Sequence, residues 1–97
     1  MEIRVHGRNI DLSDRVTAHA EKRLGRSSRF FDRVGDADVE LREETKPSRA
    51  GGRYRAEITA PAAGVIVRAE GSGDTMQQAV DAAAERFDAN LRKLHDR

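Results

Sequence analysis

The chain has 97 residues, contains no cysteine and carries a formal net charge of +1. This length suits one domain with one modest core, and the missing cysteines exclude disulfides and thiolate metal sites. No apolar run approaches the roughly 20 residues needed to cross a bilayer, and no signal-peptide core follows Met1. We therefore expect residues 1–97 to form a single domain of a cytoplasmic protein.

Basic charge is concentrated in one segment of the chain. Residues 22–33 contain five basic residues and one acidic residue, whereas residues 70–97 contain four basic and six acidic residues. Because the total charge is nearly zero, it does not indicate a nucleic-acid binder, and the local cluster is the more informative feature. Arginine outnumbers lysine fifteen to three, which fits phosphate recognition but is explained more simply by a GC-rich genome.

The first part of the chain predicts a strand, a helix and a second strand. Residues 2–7 alternate between apolar and polar side chains, as in a half-buried strand. Ser13 is a good N-cap candidate, and apolar residues recur after it at helical spacing. Gly25 either ends this helix or weakens it by about 1 kcal/mol relative to alanine. Alternation resumes at residues 37–42, which predict the second strand.

The middle of the chain predicts a β-hairpin after a polar loop at residues 43–52. Its strands are the alternating segments 54–60 and 65–70, and "APAAG" is the turn between them. Opposite charges directly across such a ladder stabilise it by about 0.2–1 kcal/mol per pair. The pairs expected from this turn are Ala60 with Val65, Glu57 with Arg68, and Arg55 with Glu70.

The last part of the chain predicts a long helix that begins after Asp74 or Thr75. Its apolar stripe consists of Met76, Ala79, Val80, Ala83, Phe87, Leu91 and Leu94. The element order β-α-β-β-β-α indicates an α+β fold, a four-stranded mixed sheet with two helices packed on one face. The first two strands are expected to be parallel neighbours, because a helix connects them, and the last three to form an antiparallel meander.

Nothing in the sequence assembles a catalytic or metal site. The three histidines lie on three different elements without ligand spacing: His6, His19 and His95. Asp36, Asp38 and Glu40 share a strand face, but a solvated face beside an arginine-bearing strand explains them more simply than Mg²⁺. Because no acid, base and nucleophile occur together, we expect a binding protein with no enzymatic activity, cofactor or small-molecule substrate.

The remaining signal is the basic end of the first helix. Its cluster consists of Lys22, Arg23, Arg26 and Arg29. Such a cluster can contact phosphates, but an ordinary charged helix face has the same pattern. Arg55 and Arg68 are expected to serve the hairpin instead, through their acidic cross-strand partners. Phe31 is expected to pack in the core, and the place of Phe30 stays open.

The second helix carries a weaker polar stripe, formed by Arg86, Asn90, Lys93 and Arg97. Pairs at i,i+4 on the same helix, Asp88 with Arg92 and Arg92 with Asp96, are expected to be helix-stabilising contacts.

The order of elements and three segments resemble the ribosome hibernation promoting factor family, which includes protein Y. The segments are "VHGRNIDLSDRVTAHAEKRL", "RFFDRV" and "AEGSGDTMQQAVDAAAERFDANLRK". The resemblance covers essentially the whole chain. It implies a bacterial protein that binds the small ribosomal subunit when growth stops, in the channel of messenger RNA and the A- and P-site transfer RNAs. Translation would be blocked by occupancy.

The resemblance also implies RNA-contacting positions. In the first helix the family's basic positions match Arg23 and Arg26, and in the second helix they match Arg86, Asn90 and Lys93. The predicted RNA-binding set is therefore Lys22, Arg23, Arg26, Arg29, Arg86, Asn90 and Lys93. Two alternatives stay open: a family-derived interaction or homodimer module that has lost ribosome binding and uses the exposed strand face around Thr59 and Ile66, and a binder of any RNA duplex.

Overall fold

The computed structural model describes residues 1–31, 33–45 and 52–96. Four strands form one sheet in the order β1-β2-β3-β4, with β1 parallel to β2 and the other neighbours antiparallel. The predicted α+β fold is therefore confirmed. The elements are β1 (Ile3–Gly7), α1 (Asp14–Phe30), β2 (Ala37–Glu43), β3 (Tyr54–Ala62), β4 (Val65–Gly73) and α2 (Met76–His95).

Both helices begin at side-chain caps. The Ser13 hydroxyl accepts a hydrogen bond from the Val16 amide at 3.2 Å, and the Thr75 hydroxyl accepts one from the Gln78 amide at 3.1 Å. Each cap satisfies one of the amides that the first turn of a helix leaves unpaired. Gly25 does not end the first helix, because α1 continues past it to Phe30.

The β3–β4 hairpin has a different register from the predicted one. Ala63 and Gly64 have φ values of 51° and 84°, so they form a two-residue turn with both residues in the left-handed region. The strands consequently extend further toward the turn, and each β3 residue is paired two positions further along β4 than predicted. The observed pairs include Ala60 with Val67, Thr59 with Arg68, Glu57 with Glu70, and Arg55 with Ser72.

A shift of two residues preserves the face on which each side chain lies, because the side-chain period of a strand is two. The core prediction is therefore unaffected, while the predicted charge pairs change. Arg55 still reaches Glu70 diagonally and forms an ion pair with it, whereas Arg68 loses its predicted opposite partner, Glu57.

The two helices cover one face of the sheet. Phe87 of α2 is fully buried among strand residues such as Leu41 and Ile58 and Leu24 of α1. Met76 and Leu94 at the ends of the predicted stripe are partly buried against the same core, as is Phe31, which confirms its predicted place. The Phe30 side chain and residues 46–51 of the predicted polar loop lie outside the described part of the chain.

Helix α2 approaches the sheet closely at Gly71 of β4. A Cβ atom at this position would overlap the backbone of Ala82 and Ala83. Glycine therefore allows α2 to approach the edge strand, and this approach sets the relation between the α2 side chains and β4. Within the described residues, neither helix is long and apolar enough to span a membrane.

Candidate nucleic-acid interface

The exposed side of α1 presents three of the four predicted basic residues. Lys22, Arg26 and Arg29 are exposed and follow one another at steps of four and three, which places them on neighbouring parts of one helix side. None of them forms an ion pair with a carboxylate of the described residues. Their charges are therefore available to an anionic partner.

Arg23, the fourth residue of the predicted cluster, has a different environment. Its Nη2 atom lies 2.8 Å from Oδ2 of Asp88 on α2, and its side chain is only 16% exposed. Ser27 completes the network, because its buried hydroxyl donates to Oδ1 of Asp88 at 2.5 Å and accepts from Nη1 of Arg23 at 3.3 Å. Arg23 therefore joins the two helices, and Asp88 is not paired with Arg92 as predicted.

A second contact joins the same helices one to two turns earlier. Nε2 of His19 lies 2.8 Å from Oδ1 of Asp81. Beside it is a shallow groove of about 380 Å³ that Lys22, Arg23 and Arg26 also line. The groove is basic on the α1 side, with one carboxylate on the α2 side.

The predicted stripe of α2 lies on the other side of this helix. Arg86 and Asp88 are two residues apart, which is about 200° around the helix axis, so the stripe is turned toward β4 and not toward α1. Arg86 and Lys93 are exposed, and the Asn90 amide donates to the carbonyl oxygen of Arg68 at 2.9 Å. The structure therefore separates the predicted residues into two surfaces, one on the α1 side of α2 and one on its β4 side. Arg97 lies outside the described residues.

The sheet face opposite the helices carries a row of glutamates. Glu40, Glu57 and Glu70 lie directly opposite one another on β2, β3 and β4. Glu40 is paired with Arg8 at 3.2 Å and Glu70 with Arg55. Glu57, in the middle, forms no ion pair with any cation of the described residues.

The row perturbs the pKa values of its two β-hairpin carboxyls, Glu57 and Glu70, in opposite directions. A hydrogen bond to Glu70, together with partial burial and repulsion by Glu70, raises the pKa of Glu57 above its usual value. Hydrogen bonds from Arg55 and Glu57 lower the pKa of Glu70. Glu57 therefore resists ionisation more than Glu70 does.

Asp36 and Glu40, the carboxylates at and after the start of β2, lie beside arginines, which is the explanation that the sequence favoured over a Mg²⁺ site. Asp36 lies 3.9 Å from Arg4 of the β1 strand, and Glu40 is paired with Arg8 just after that strand. Among the residues that the structure describes, no three His, Cys, Asp or Glu side chains are arranged to hold a metal ion.

The predicted place of Arg68, opposite Glu57, is wrong. Arg68 lies opposite Thr59, is exposed, and lines the groove between β4 and α2 together with Arg86 and Lys93. Recognising the two-residue turn at Ala63 and Gly64 from the sequence would have given the correct hairpin register, and with it the position of Arg68. That turn contains one non-glycine residue with positive φ, which is uncommon and hard to predict.

The chain matches known proteins along its length. A family model described as Sigma 54 modulation protein / S30EA ribosomal protein covers residues 3–97. The ribosome hibernation promotion factor of Mycobacterium tuberculosis is 32% identical over 96 residues, which are 99% of this chain and 44% of that protein. The factor of the same name from Bacillus subtilis is 27% identical over 93 residues, 96% of this chain and 48% of that protein. The chain thus spans about half the length of these curated relatives.

Two solved structures share the fold. The N-terminal domain of Thermus thermophilus Protein Y superposes with a TM-score of 0.80 at 29% identity, covering 97% of this chain and 99% of that one. A ribosomal subunit interface protein from Coxiella burnetii superposes with a TM-score of 0.84 at 19% identity over the whole of both chains, a likeness of fold alone. The resemblance stated from the sequence is confirmed: this chain belongs to the Sigma 54 modulation protein / S30EA ribosomal protein family.

Proposed function

We propose that this chain binds the small ribosomal subunit and silences translation in stationary phase or stress. The observation that carries the proposal is the match, over nearly the whole chain, to relatives named ribosome hibernation promotion factor. The site would be ribosomal RNA in the decoding channel, at the A and P sites. The protein would act in the cytoplasm as one domain and would block the channel by occupancy, without catalysing a reaction.

The exposed cations of α1 support an RNA partner. Lys22, Arg26 and Arg29 lie on one side of a rigid helix and have no described acidic partner. Folded ribosomal RNA is recognised largely by shape and phosphate position, and basic side chains at fixed spacing suit this recognition. Arg23 contributes to this surface by fixing α1 against α2, so its direct role in phosphate binding is expected to be smaller than that of its neighbours.

The proposal is tested by sedimentation of the protein with purified small subunits over a range of salt concentrations. A variant with Lys22→Gln, Arg26→Gln and Arg29→Gln has its formal charge lowered from +1 to −2. If all three residues contact phosphates, the log–log salt slope should become shallower by about 2–3, and affinity should fall steeply.

The matched control lowers the charge equally at other places. It carries Arg4→Gln, Arg8→Gln and Arg53→Gln, whose side chains pair with Asp36, Glu40 and Glu43 in or beside β2 and not with residues of α1. It should sediment nearly as the unmodified chain does. Equal loss in both variants would mean that total charge and not the α1 surface governs binding, and a wild-type chain that never sediments would contradict the proposed function.

A second candidate function is an interaction or homodimer module. The observation in its favour is that two apolar residues at the start of β4 are exposed: Val65 is 48% and Ile66 60% exposed. Sedimentation equilibrium without RNA decides this candidate: a stable dimer that Ile66→Ser abolishes would support it, and a monomer at high concentration would exclude the homodimer.

A further inference from the structure

A groove lies at one end of the molecule, where the end of α1, the turn between β3 and β4 and the last turns of α2 meet. Its volume is about 340 Å³. Its apolar lining consists of Phe31, Ala62, Ala63, Leu91 and Leu94, and its basic lining of Arg33 and His95. None of the described residues that line it is a carboxylate. The groove therefore combines apolar walls with basic groups.

The apolar walls are only partly covered. Ala62 and Leu91 are each 3% exposed and belong to the core, whereas Phe31 and Leu94 are partly buried and reach the surface at the groove. Phe31 directly follows α1, and Leu94 lies in the last turn of α2. An apolar side chain that entered the groove would remove this surface from water, which favours association.

The backbone that carries Arg33 is attached to the hairpin. The Gly35 amide donates to the carbonyl oxygen of Pro61 at 2.8 Å, and the Ala63 amide donates to the carbonyl oxygen of Arg33 at 3.4 Å. Arg33 and Ala63 have φ values of 64° and 51°, which residues other than glycine seldom adopt. These contacts hold the main chain of Arg33 beside the groove, so its guanidinium stays near the apolar walls.

The basic groups of the groove are available to an external anion. Arg33 is exposed and forms no ion pair with any carboxylate of the described residues. His95 is also exposed, and its ring can donate a hydrogen bond in either protonation state. A guanidinium binds a carboxylate through two parallel hydrogen bonds. The groove is thus complementary to a ligand with an apolar part and a negative charge.

Two features favour a peptide over RNA as this ligand. Unpaired bases bind mainly by stacking on aromatic side chains, and Phe31 is the one aromatic residue among the described residues that line the groove. The other feature is the C-terminus of α2 at His95, where unpaired carbonyl groups carry partial negative charge. These carbonyls repel a row of phosphates, but they can accept hydrogen bonds from peptide amides.

We propose that this groove binds an acidic, apolar segment of a partner protein. A leucine or phenylalanine of the segment packs against Phe31 and Leu94, and a neighbouring carboxylate pairs with Arg33. The inference goes beyond the proposed function, because its partner is a peptide and its site does not include the exposed cations of α1.

The probe is a short synthetic peptide in which leucine and phenylalanine alternate with glutamate. Amide NMR spectra of the isotope-labelled chain, recorded during a titration, locate the peptide and give its affinity. Amides that line the groove should shift. Arg33→Glu should weaken binding by at least about two- to fivefold, the effect expected for one exposed ion pair. Arg15→Glu is the matched control, because it reverses an exposed arginine in the first turn of α1, outside the groove.

Two further peptides test the charge and the apolar part separately. A peptide with lysine in place of glutamate should bind Arg33→Glu more tightly than it binds the wild type. A peptide that keeps the glutamates but has serine in place of leucine and phenylalanine should not bind, because nothing then enters between the apolar walls.

The proposal is overturned if the first peptide shifts no groove amides at millimolar concentration, or if Arg33→Glu binds it as Arg15→Glu does. It is also overturned if a single-stranded oligouridylate shifts these amides and the peptide does not, since the groove would then bind RNA. Because no ribosome is present in this experiment, failure of the proposed function in sedimentation is a separate result.

Discussion

Nη2 of Arg23 on α1 lies 2.8 Å from Oδ2 of Asp88 on α2, and both side chains are at most 20% exposed. The pair also shares the buried hydroxyl of Ser27. Removing the partner of a half-buried charge destabilises the folded protein more than removing the partner of an exposed charge, because the half-buried charge cannot be fully hydrated. The pair therefore stabilises the packing of the two helices, on which the position of the α1 surface depends.

Arg23→Glu should lower the free energy of unfolding by about 1–3 kcal/mol, because it places two carboxylates together at the helix interface. Arg26→Glu, at an exposed position of the same helix, should change it by less than about 0.5 kcal/mol. Urea unfolding of both variants checks the difference. Adding Asp88→Lys to Arg23→Glu should recover part of the loss, whereas equal stability of the two single variants would show that the ion pair has no structural role.

Phe87→Ala should lower the free energy of unfolding by about 3–5 kcal/mol, the usual cost of removing a large aromatic side chain from a core. Phe87 is 0% exposed and lies between the sheet and α1. Thermal and urea unfolding measure the effect, with Leu94→Ala as a milder comparison because Leu94 is only partly buried. An unchanged melting temperature for Phe87→Ala would contradict the packing of α2 described above.

Gly71→Ala and Gly25→Ala should have opposite effects on stability. An alanine at position 71 overlaps the backbone of α2, so the helix must move away from β4, at a cost of about 1–3 kcal/mol. Position 25 lies inside α1 with open space around it, and alanine there should stabilise by about 0.5–1 kcal/mol. Thermal unfolding of the two variants tests both predictions. An unchanged melting temperature for Gly71→Ala would mean that α2 is not held against β4.

Glu57→Gln should stabilise the protein at neutral pH by about 0.2–1 kcal/mol, because it removes a carboxylate that lies directly between Glu40 and Glu70. The pKa of Glu57 is raised by its hydrogen bond to Glu70, so the folded state binds this proton before the unfolded state does. The wild-type protein should therefore gain stability as pH falls from neutral toward the unfolded pKa of 4.5.

The opposite sign holds for Glu70, whose pKa is lowered by its hydrogen bonds from Arg55 and Glu57. Its contribution is fully present above pH 4.5 and is lost as the pH falls below that value. Urea unfolding midpoints are measured between about pH 7 and pH 3, in steps of about half a pH unit. The midpoint should rise for the wild type as the pH falls toward 4.5, and this rise should be absent in Glu57→Gln. A parallel pH dependence of the two proteins would rule out Glu57 as the source.

The sequence predicted the elements well because they depend on local periodicity. The α2 stripe, the alternation of β1 to β4 and the caps at Ser13 and Thr75 are all encoded within a few residues. These features sufficed for the fold and for the exposed positions Lys22, Arg26 and Arg29.

The contacts that decide the site are not local. Arg23 and Asp88 are 65 positions apart, and His19 and Asp81 are 62 apart, so no helical spacing reveals them. The same tertiary contact explains why the expected i,i+4 pair of Asp88 with Arg92 is absent. The register of the hairpin depended on one turn, and an alanine in the left-handed region gave no clear signal for it.

The most direct measurement of the central claim is competition between this chain and transfer RNA for the small subunit. Small subunits are loaded with increasing amounts of P-site transfer RNA, and the bound fraction of the chain is measured by sedimentation. Occupancy of the decoding channel predicts that each molecule of bound transfer RNA excludes one molecule of the chain. Equal binding of the chain to empty and to loaded subunits would contradict that account.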